Sequence, residues 1–147
     1  MSSHILRTCL IFIILSINSC TDQGDYKNRY IIENATERTV TIKFYERQRL
    51  SEPKLVLTKE IDGPGIMYDE IKNLVDVSDR ESPEVIFAAD SLAVIFDNKK
   101  IQAHYESLPF GNSLAFFSDY IQEGDTKRYI ITEENYQNAL ECNGECD

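Results

Sequence analysis

The stretch YIIENATERTVTIKFY, residues 30–45, decides the fold class. In its second half Val40, Ile42 and Phe44 alternate with polar side chains, which is the period-two pattern of a β-strand with one buried face. Residues 30–34 form a second strand-like run, and polar residues of the kind that favour turns separate the two runs. We therefore predict two strands joined as a hairpin.

Similar runs continue to the end of the chain. The four residues from Asp62 to Gly65 are a strong turn signal, and Thr132 is suited to cap a helix over residues 133–140. The near-continuous apolar run 91–96 is the clearest prediction of a buried strand. The further predicted strands are 54–61, 66–71, 84–87, 91–96, 101–105 and 127–132. This pattern predicts an all-β fold, an antiparallel β-sandwich with a short C-terminal helix, and an open β-barrel is the alternative.

The N-terminus has the pattern of an export signal. Arg7 precedes ten mostly apolar residues, 8–17, which suit a signal peptide but fall short of the roughly 20 residues that span a membrane. A small residue and then Cys20 follow, as in a lipobox. We expect a signal peptide over 1–19, a lipidated Cys20 with a flexible tether over 20–28, and one β-rich domain over 29–147. The alternative is an ordinary secretory leader in which Cys20 is incidental.

Lipid on Cys20 would determine where the protein resides. Each buried methylene of an acyl chain contributes about 0.8 kcal/mol, so a multiply acylated cysteine anchors a protein stably. We expect an exported protein held at a bacterial outer membrane, facing the periplasm. Asp22 and Asp25 make the tether acidic, which leaves the cell surface as the alternative.

The charge balance disfavours two classes of partner. The net charge of the 147 residues is −10, and it becomes −11 without residues 1–19 because Arg7 is their only charged residue. Nucleic-acid binding needs a concentrated basic surface, and adhesion to anionic lipid needs positive charge. We predict no nucleic-acid partner and membrane attachment through the anchor alone.

Two of the four cysteines lie close together at the C-terminus. Cys142 and Cys146 flank Asn-Gly-Glu, and Gly144 allows the chain to turn back. In an oxidising compartment such a pair usually forms a disulfide. We predict a bridge that fixes the C-terminal tip and contributes little to holding the fold. A redox pair or half of a metal site is the alternative.

Several short segments resemble a known group of proteins. They are the relaxed lipobox, the opening strand 30–36, the hairpin around residues 90–100 and the closing segment 129–136. Together they resemble small uncharacterised exported lipoproteins of the Bacteroidota type. The resemblance implies a lipid-anchored, β-rich domain and implies no activity.

Residues suited to catalysis are sparse after the leader. His104 is the only histidine there, and strand alternation places it on the polar face opposite Ile101, Ala103 and Tyr105, so we expect it to face solvent. Neither a cofactor motif nor a complete metal-ligand set is evident. Carboxylates are numerous and could supply a glycosidase pair, or calcium ligands within 76–81. The candidates are Asp69, Glu70, Asp76, Asp79, Glu81 and Glu84.

Aromatic side chains cluster between residues 110 and 120. Phe110, Phe116, Phe117 and Tyr120 fit either of two arrangements. They could complete the core beneath a long loop, or they could form a surface on which a sugar or a partner side chain stacks.

The sequence therefore predicts a lipid-anchored binding or accessory protein of the cell envelope without enzymatic activity. Its ligand is another envelope protein or, second, a glycan. A polysaccharide hydrolase using paired carboxylates and a purely structural envelope component are the alternatives.

Overall fold

The computed structural model describes residues 26–46, 52–74, 82–105, 114–115 and 117–146. These residues form two β-sheets that face each other. Sheet A has the order β4-β1-β8-β7 and sheet B the order β3-β2-β5-β6-β9. Their bounds are β1 Tyr26–Asn34, β2 Thr39–Glu46, β3 Lys54–Asp62, β4 Gly65–Leu74, β5 Ser91–Phe96, β6 Lys100–Tyr105, β7 Ile121–Glu123, β8 Thr126–Ile131 and β9 Leu140–Glu141. The all-β sandwich with a short C-terminal helix is confirmed.

The core forms where the apolar faces of the two sheets meet. The fully buried side chains include Tyr30 and Ile32 of β1, and Ile42 and Phe44 of β2. All six residues of β5 are buried, as the continuous apolar run predicts. β1 and β8 run parallel, whereas the other strand pairs of the described residues are antiparallel. The sandwich is therefore not antiparallel throughout.

The predicted hairpin over residues 30–45 is wrong, because its two strands lie in different sheets. β1 belongs to sheet A and β2 to sheet B, so residues 35–38 form an arch from one sheet to the other. Alternation shows which residues of a strand share a face, but not which sheet the next strand joins. The Gly63–Pro64 turn is a second arch, because it joins β3 of sheet B to β4 of sheet A.

Asn34 holds the two arches together. Its side chain is fully buried, and its Nδ2 donates to the carbonyls of Arg38, at 3.0 Å, and Gly63, at 2.8 Å. Its Oδ1 accepts from the backbone N–H of Thr36 at 2.9 Å and from the Thr36 hydroxyl at 2.8 Å. An asparagine fits here because its amide both donates and accepts in one small volume.

The predicted strand over 84–87 is a short helix, α1, Pro83–Phe87. Ser82 is its N-cap and its hydroxyl accepts from the Val85 N–H at 3.4 Å, while Pro83 occupies the first turn. A serine cap followed by proline and an acidic residue is a helix-start pattern, and here it outweighs the strand preference of the apolar residues after it. Ile86 and Phe87 are buried in the core.

The C-terminal helix prediction is confirmed with a shorter span. Helix α2, Glu133–Asn138, begins after the predicted cap Thr132. The Oδ1 of Asn135 accepts from the Thr132 N–H at 2.9 Å and from its hydroxyl at 3.0 Å. No helix in the described part of the chain is long and apolar enough to cross a membrane.

The structure places half of the predicted aromatic surface in the core. Phe117, in a short 3₁₀-helix over Phe117–Asp119, is only 8% exposed and its ring centroid lies 5.8 Å from that of Phe87 and 5.3 Å from that of Tyr30. Tyr120 is also buried, and its hydroxyl donates to the Leu114 carbonyl at 3.0 Å. For these two rings the core arrangement is therefore confirmed, and the prediction of a stacking surface is wrong. Phe110 and Phe116 lie outside the described residues.

Candidate functional site

Arg38 is the centre of a charged cluster at the arch end of the sandwich. Its guanidinium donates to Asp97 Oδ2 at 2.8 Å and to both carboxylate oxygens of Glu133, at 2.9 and 3.1 Å. Asp97 lies in the β5–β6 turn, where it and Asn98 both adopt positive φ, a conformation that these two residue types tolerate. Glu133 opens helix α2. The arch at 35–38, the β5–β6 turn and the start of α2 therefore meet at one side chain, that of Arg38.

An aromatic ring completes this cluster. The Cζ of Arg38 lies 3.4 Å from the ring centroid of Tyr136, and the Nζ of Lys100 lies 4.6 Å from the same centroid. Hydrogen bonding from Arg38 lowers the pKa of Glu133 below its usual value. A carboxyl whose pKa is lowered is a poor general acid, so the cluster is better suited to fixing the arches than to proton transfer. Beside it lies an open depression of about 480 Å³.

A larger depression, of about 580 Å³, lies on the outer face of sheet B. We call it the trough. Cross-strand hydrogen bonds run along it, from the Thr39 hydroxyl to Asp62 at 2.6 Å and from the Thr41 hydroxyl to Glu60 at 2.9 Å. It is lined by Thr39, Thr41, Lys43, Thr58, Glu60, Ile95, Asp97, Asn98 and Cys146. Hydroxyl, carboxylate, amide and ammonium groups thus border one open space.

The C-terminal loop forms one wall of the trough. Cys142 and Cys146, the predicted pair, are joined by a disulfide with Cα atoms 5.4 Å apart. The Cys142 N–H donates to the Lys99 carbonyl at 2.8 Å, and Lys43 Nζ donates to the Cys146 carbonyl at 3.2 Å. Cys146 and Ile95 are each only 3% exposed. The bridged loop therefore covers the outer side of β5, a role that the sequence prediction did not include.

His104 does not face solvent, contrary to the sequence prediction. It is 3% exposed and its Nδ1 accepts from the Leu114 N–H at 3.3 Å. The inward face of β6 is the polar one, because His104 and Gln102 lie opposite Leu92 and Val94, which point into the core. Burial lowers the pKa of His104 to about 4. At neutral pH it is an uncharged acceptor that fixes the segment at Leu114.

The described candidates for a carboxylate pair are bound to cations or exposed. Arg29 donates to both oxygens of Asp69, at 2.7 and 2.6 Å, and lowers its pKa; Lys72 contacts Glu70 and lowers its pKa likewise. Glu84 is exposed in the first turn of α1. Neither Asp69 nor Glu70 has the raised pKa of a glycosidase acid. Asp76, Asp79 and Glu81, and with them the calcium candidate 76–81, lie outside the described residues.

Arg38 is the residue that sequence reasoning missed. Its partners lie 59 and 95 positions away along the chain, so no local spacing links them. The sequence marked only the hairpin around residues 90–100 and the helix start after Thr132, which carry two of the partners of Arg38. Within the described ranges no group of three or more histidine, cysteine or acidic residues could hold a metal ion. The lipidation candidate Cys20 lies outside those ranges.

Comparison with known proteins gave no match to a protein-family model, a curated protein or a solved structure.

Proposed function

We propose that this chain is an exported protein, anchored to a bacterial membrane by lipid on Cys20, that binds another protein of the cell envelope without catalysing a reaction. The observation that carries the binding role is the trough between the outer face of sheet B and the disulfide-closed loop. The anchor itself rests on the sequence pattern around Cys20.

The C-terminal disulfide supports export. Disulfides persist in oxidising compartments outside the cytoplasm, and they are rare in reducing ones. The Cys142–Cys146 bridge closes a loop whose second cysteine is buried against sheet B. A chain that carries both an export pattern at its N-terminus and a structural bridge at its C-terminus fits the cell envelope.

The lining of the trough favours a polypeptide over a glycan. Its volume of about 580 Å³ falls within the range of ligand sites, and its walls offer both donors and acceptors. An extended peptide presents alternating N–H and C=O groups that such walls can bind. Sugar rings are best held against aromatic faces, and none of the nine described residues that line the trough is aromatic.

The anchor is tested by the intact mass of the protein from native membranes, for the wild type and for Cys20→Ala. We expect a mass that corresponds to residues 20–147 plus acyl groups, and release of the mutant from the membrane. A mature chain that begins elsewhere and carries no lipid would refute the anchor.

The trough is tested by site-specific photo-cross-linking in intact cell envelopes. The probe replaces Thr41, and the matched control replaces Thr126, a similarly half-buried threonine on the outer face of sheet A. We expect one protein adduct of defined mass from Thr41 that is absent from Thr126 and is lost when Lys43→Glu is added. Equal labelling from both positions, or a glycan adduct alone, would contradict a protein ligand at the trough.

A further inference from the structure

Strands β3 and β4 are the edge strands on one side of the sandwich, where they contact each other. Each lies at the edge of its sheet and pairs, among the described residues, with one neighbour only. Of the seven large hydrophobic side chains that are exposed among the described residues, four lie on these two strands: Leu55, Val56, Ile66 and Ile71. A long edge strand with exposed apolar side chains can accept another strand.

The charges on β4 restrict which strand it can accept. Ile71 is 66% exposed, on the outer face opposite Arg29. Glu70 and Lys72, on either side of it, face the other way, with a carboxylate oxygen 2.5 Å from the ammonium nitrogen. A neutral strand placed beside this ion pair would take solvent from both charges and add no charged partner. A strand that carries the opposite charges at the facing positions would give each of the two residues a second ion pair.

We infer that the occupant of this edge is β4 of a second copy of the chain, paired antiparallel about a two-fold axis at Ile71. In an antiparallel pair, two residues that face each other project their side chains to the same side of the sheet. Two copies of one strand meet this condition only if the two-fold axis passes through a residue and not between two residues. At Ile71 it sets Glu70 opposite Lys72 of the other copy, and Asp69 opposite Asn73.

The neighbouring registers are disfavoured by charge. An axis at Asp69, Glu70 or Lys72 would set two carboxylates or two ammonium groups directly opposite each other, and like charges in that position are destabilising. The axis at Ile71 avoids this and gives two Glu–Lys pairs flanking an Ile–Ile contact. One strand pair is a small interface, so we expect a dissociation constant in the micromolar range or weaker.

The decisive test is charge complementation between Glu70→Lys and Lys72→Glu. The protein is purified in the form that its host cell produces and is kept in a density-matched detergent. Its self-association is measured by sedimentation equilibrium at concentrations up to about 1 mM. Each single variant places like charges opposite each other in its own dimer, so we expect its self-association to fall by about tenfold. An equimolar mixture of the two places opposite charges together and should dimerise at least as well as the wild type.

The double variant E70K/K72E is the control for folding, because it restores self-complementarity with the charges exchanged. We expect it to dimerise like the wild type. A wild type that stays monomeric at 1 mM, or a mixture that associates no better than its two components, would overturn the inference.

A cross-link tests the register. Facing residues of an antiparallel pair lie close enough for a disulfide, so oxidised Ile71→Cys should form covalent dimers. The matched control is Ile121→Cys, an isoleucine that is 50% exposed on β7, at the opposite edge of the same sheet. We expect at least about tenfold faster dimer formation from Ile71→Cys, and equal rates would overturn the proposed axis.

Discussion

The adjacent strands β5 and β6 differ in what they place inside the molecule. All six residues of β5 are buried, and those facing the core are Leu92, Val94 and Phe96. Opposite them on β6 are the polar residues His104, Gln102 and Lys100. The inward face of β6 is covered by helix α2 and by the segment at Leu114, which supply hydrogen-bond partners. Burial therefore requires apolar residues only where the covering layer has no polar groups to offer.

The largest effect should come from a cavity beneath β5. Phe96→Ala removes a fully buried ring that lies edge-on to Tyr136, with centroids 5.7 Å apart. We expect a loss of about 3–5 kcal/mol in the free energy of unfolding, because the lost apolar burial and the cavity add. Urea unfolding at pH 7 measures it. A loss below about 1 kcal/mol with an unchanged m-value would show that Phe96 is not part of a close-packed core.

The next effect should be a pH dependence from β6. The pKa of His104 is about 4 in the folded protein against 6.5 in the unfolded chain, so its stabilising contribution is complete above pH 6.5 and decreases as the pH falls toward 4. The full difference corresponds to about 3 kcal/mol. His104→Asn keeps an acceptor for the Leu114 N–H and removes the titration. Unfolding measured from pH 7 to pH 4 should therefore show a smaller loss in the variant, and parallel curves would contradict the assignment.

A smaller effect should follow loss of the polar contact between α2 and the sheets. Asn135 is 3% exposed and its Nδ2 donates to the Tyr129 hydroxyl at 3.1 Å, while its Oδ1 caps the helix at Thr132. We expect Asn135→Ala to cost about 1–3 kcal/mol in unfolding free energy, since buried partners lose their hydrogen bonds. Calorimetry measures it. Asn135→Asp keeps the oxygen that caps the helix but removes the Nδ2 donor to the Tyr129 hydroxyl. Comparing its unfolding free energy with that of Asn135→Ala separates the contribution of the cap from that of this hydrogen bond.

The smallest effect should come from Gln102→Ala. Gln102 faces inward on β6, but it is only partly buried and its hydrogen bond from Asn135 is long, at 3.4 Å. We expect a change of less than about 1 kcal/mol in unfolding free energy. A loss as large as that from Phe96→Ala would show that the inward faces of β5 and β6 are equally tightly packed, and it would remove the contrast between them.

Local patterns predicted most elements of the fold but not how they join. The strand at Thr39–Glu46, the turn at Gly63 and the helix capped by Thr132 follow from alternation, glycine and capping chemistry. The hairpin error arose because an arch and a hairpin use similar short polar connections. The strand error at 84–87 arose because apolar residues obscured a helix start.

The candidate site was less predictable than the fold. The Cys142–Cys146 pair could be recognised because its members are close in sequence, but the trough beside it needs three strands and the C-terminus together. Arg38 and its distant carboxylates have no local signature. His104 was misplaced because alternation was taken to mean that the apolar side is buried. Lipidation of Cys20 stays a prediction.

The parallel pairing of β1 with β8 has a consequence for folding kinetics. Arg29 pairs with Thr126, 97 positions later, so β1 gains its second neighbour only after almost the whole chain is present. Closing so long a loop is entropically costly, and non-local pairings of this kind slow folding. β1 and β4 can meet earlier, but β8 must add beside β1 before sheet A is complete. We therefore expect sheet A to be completed late in folding, although it contains β1, the first of the described strands.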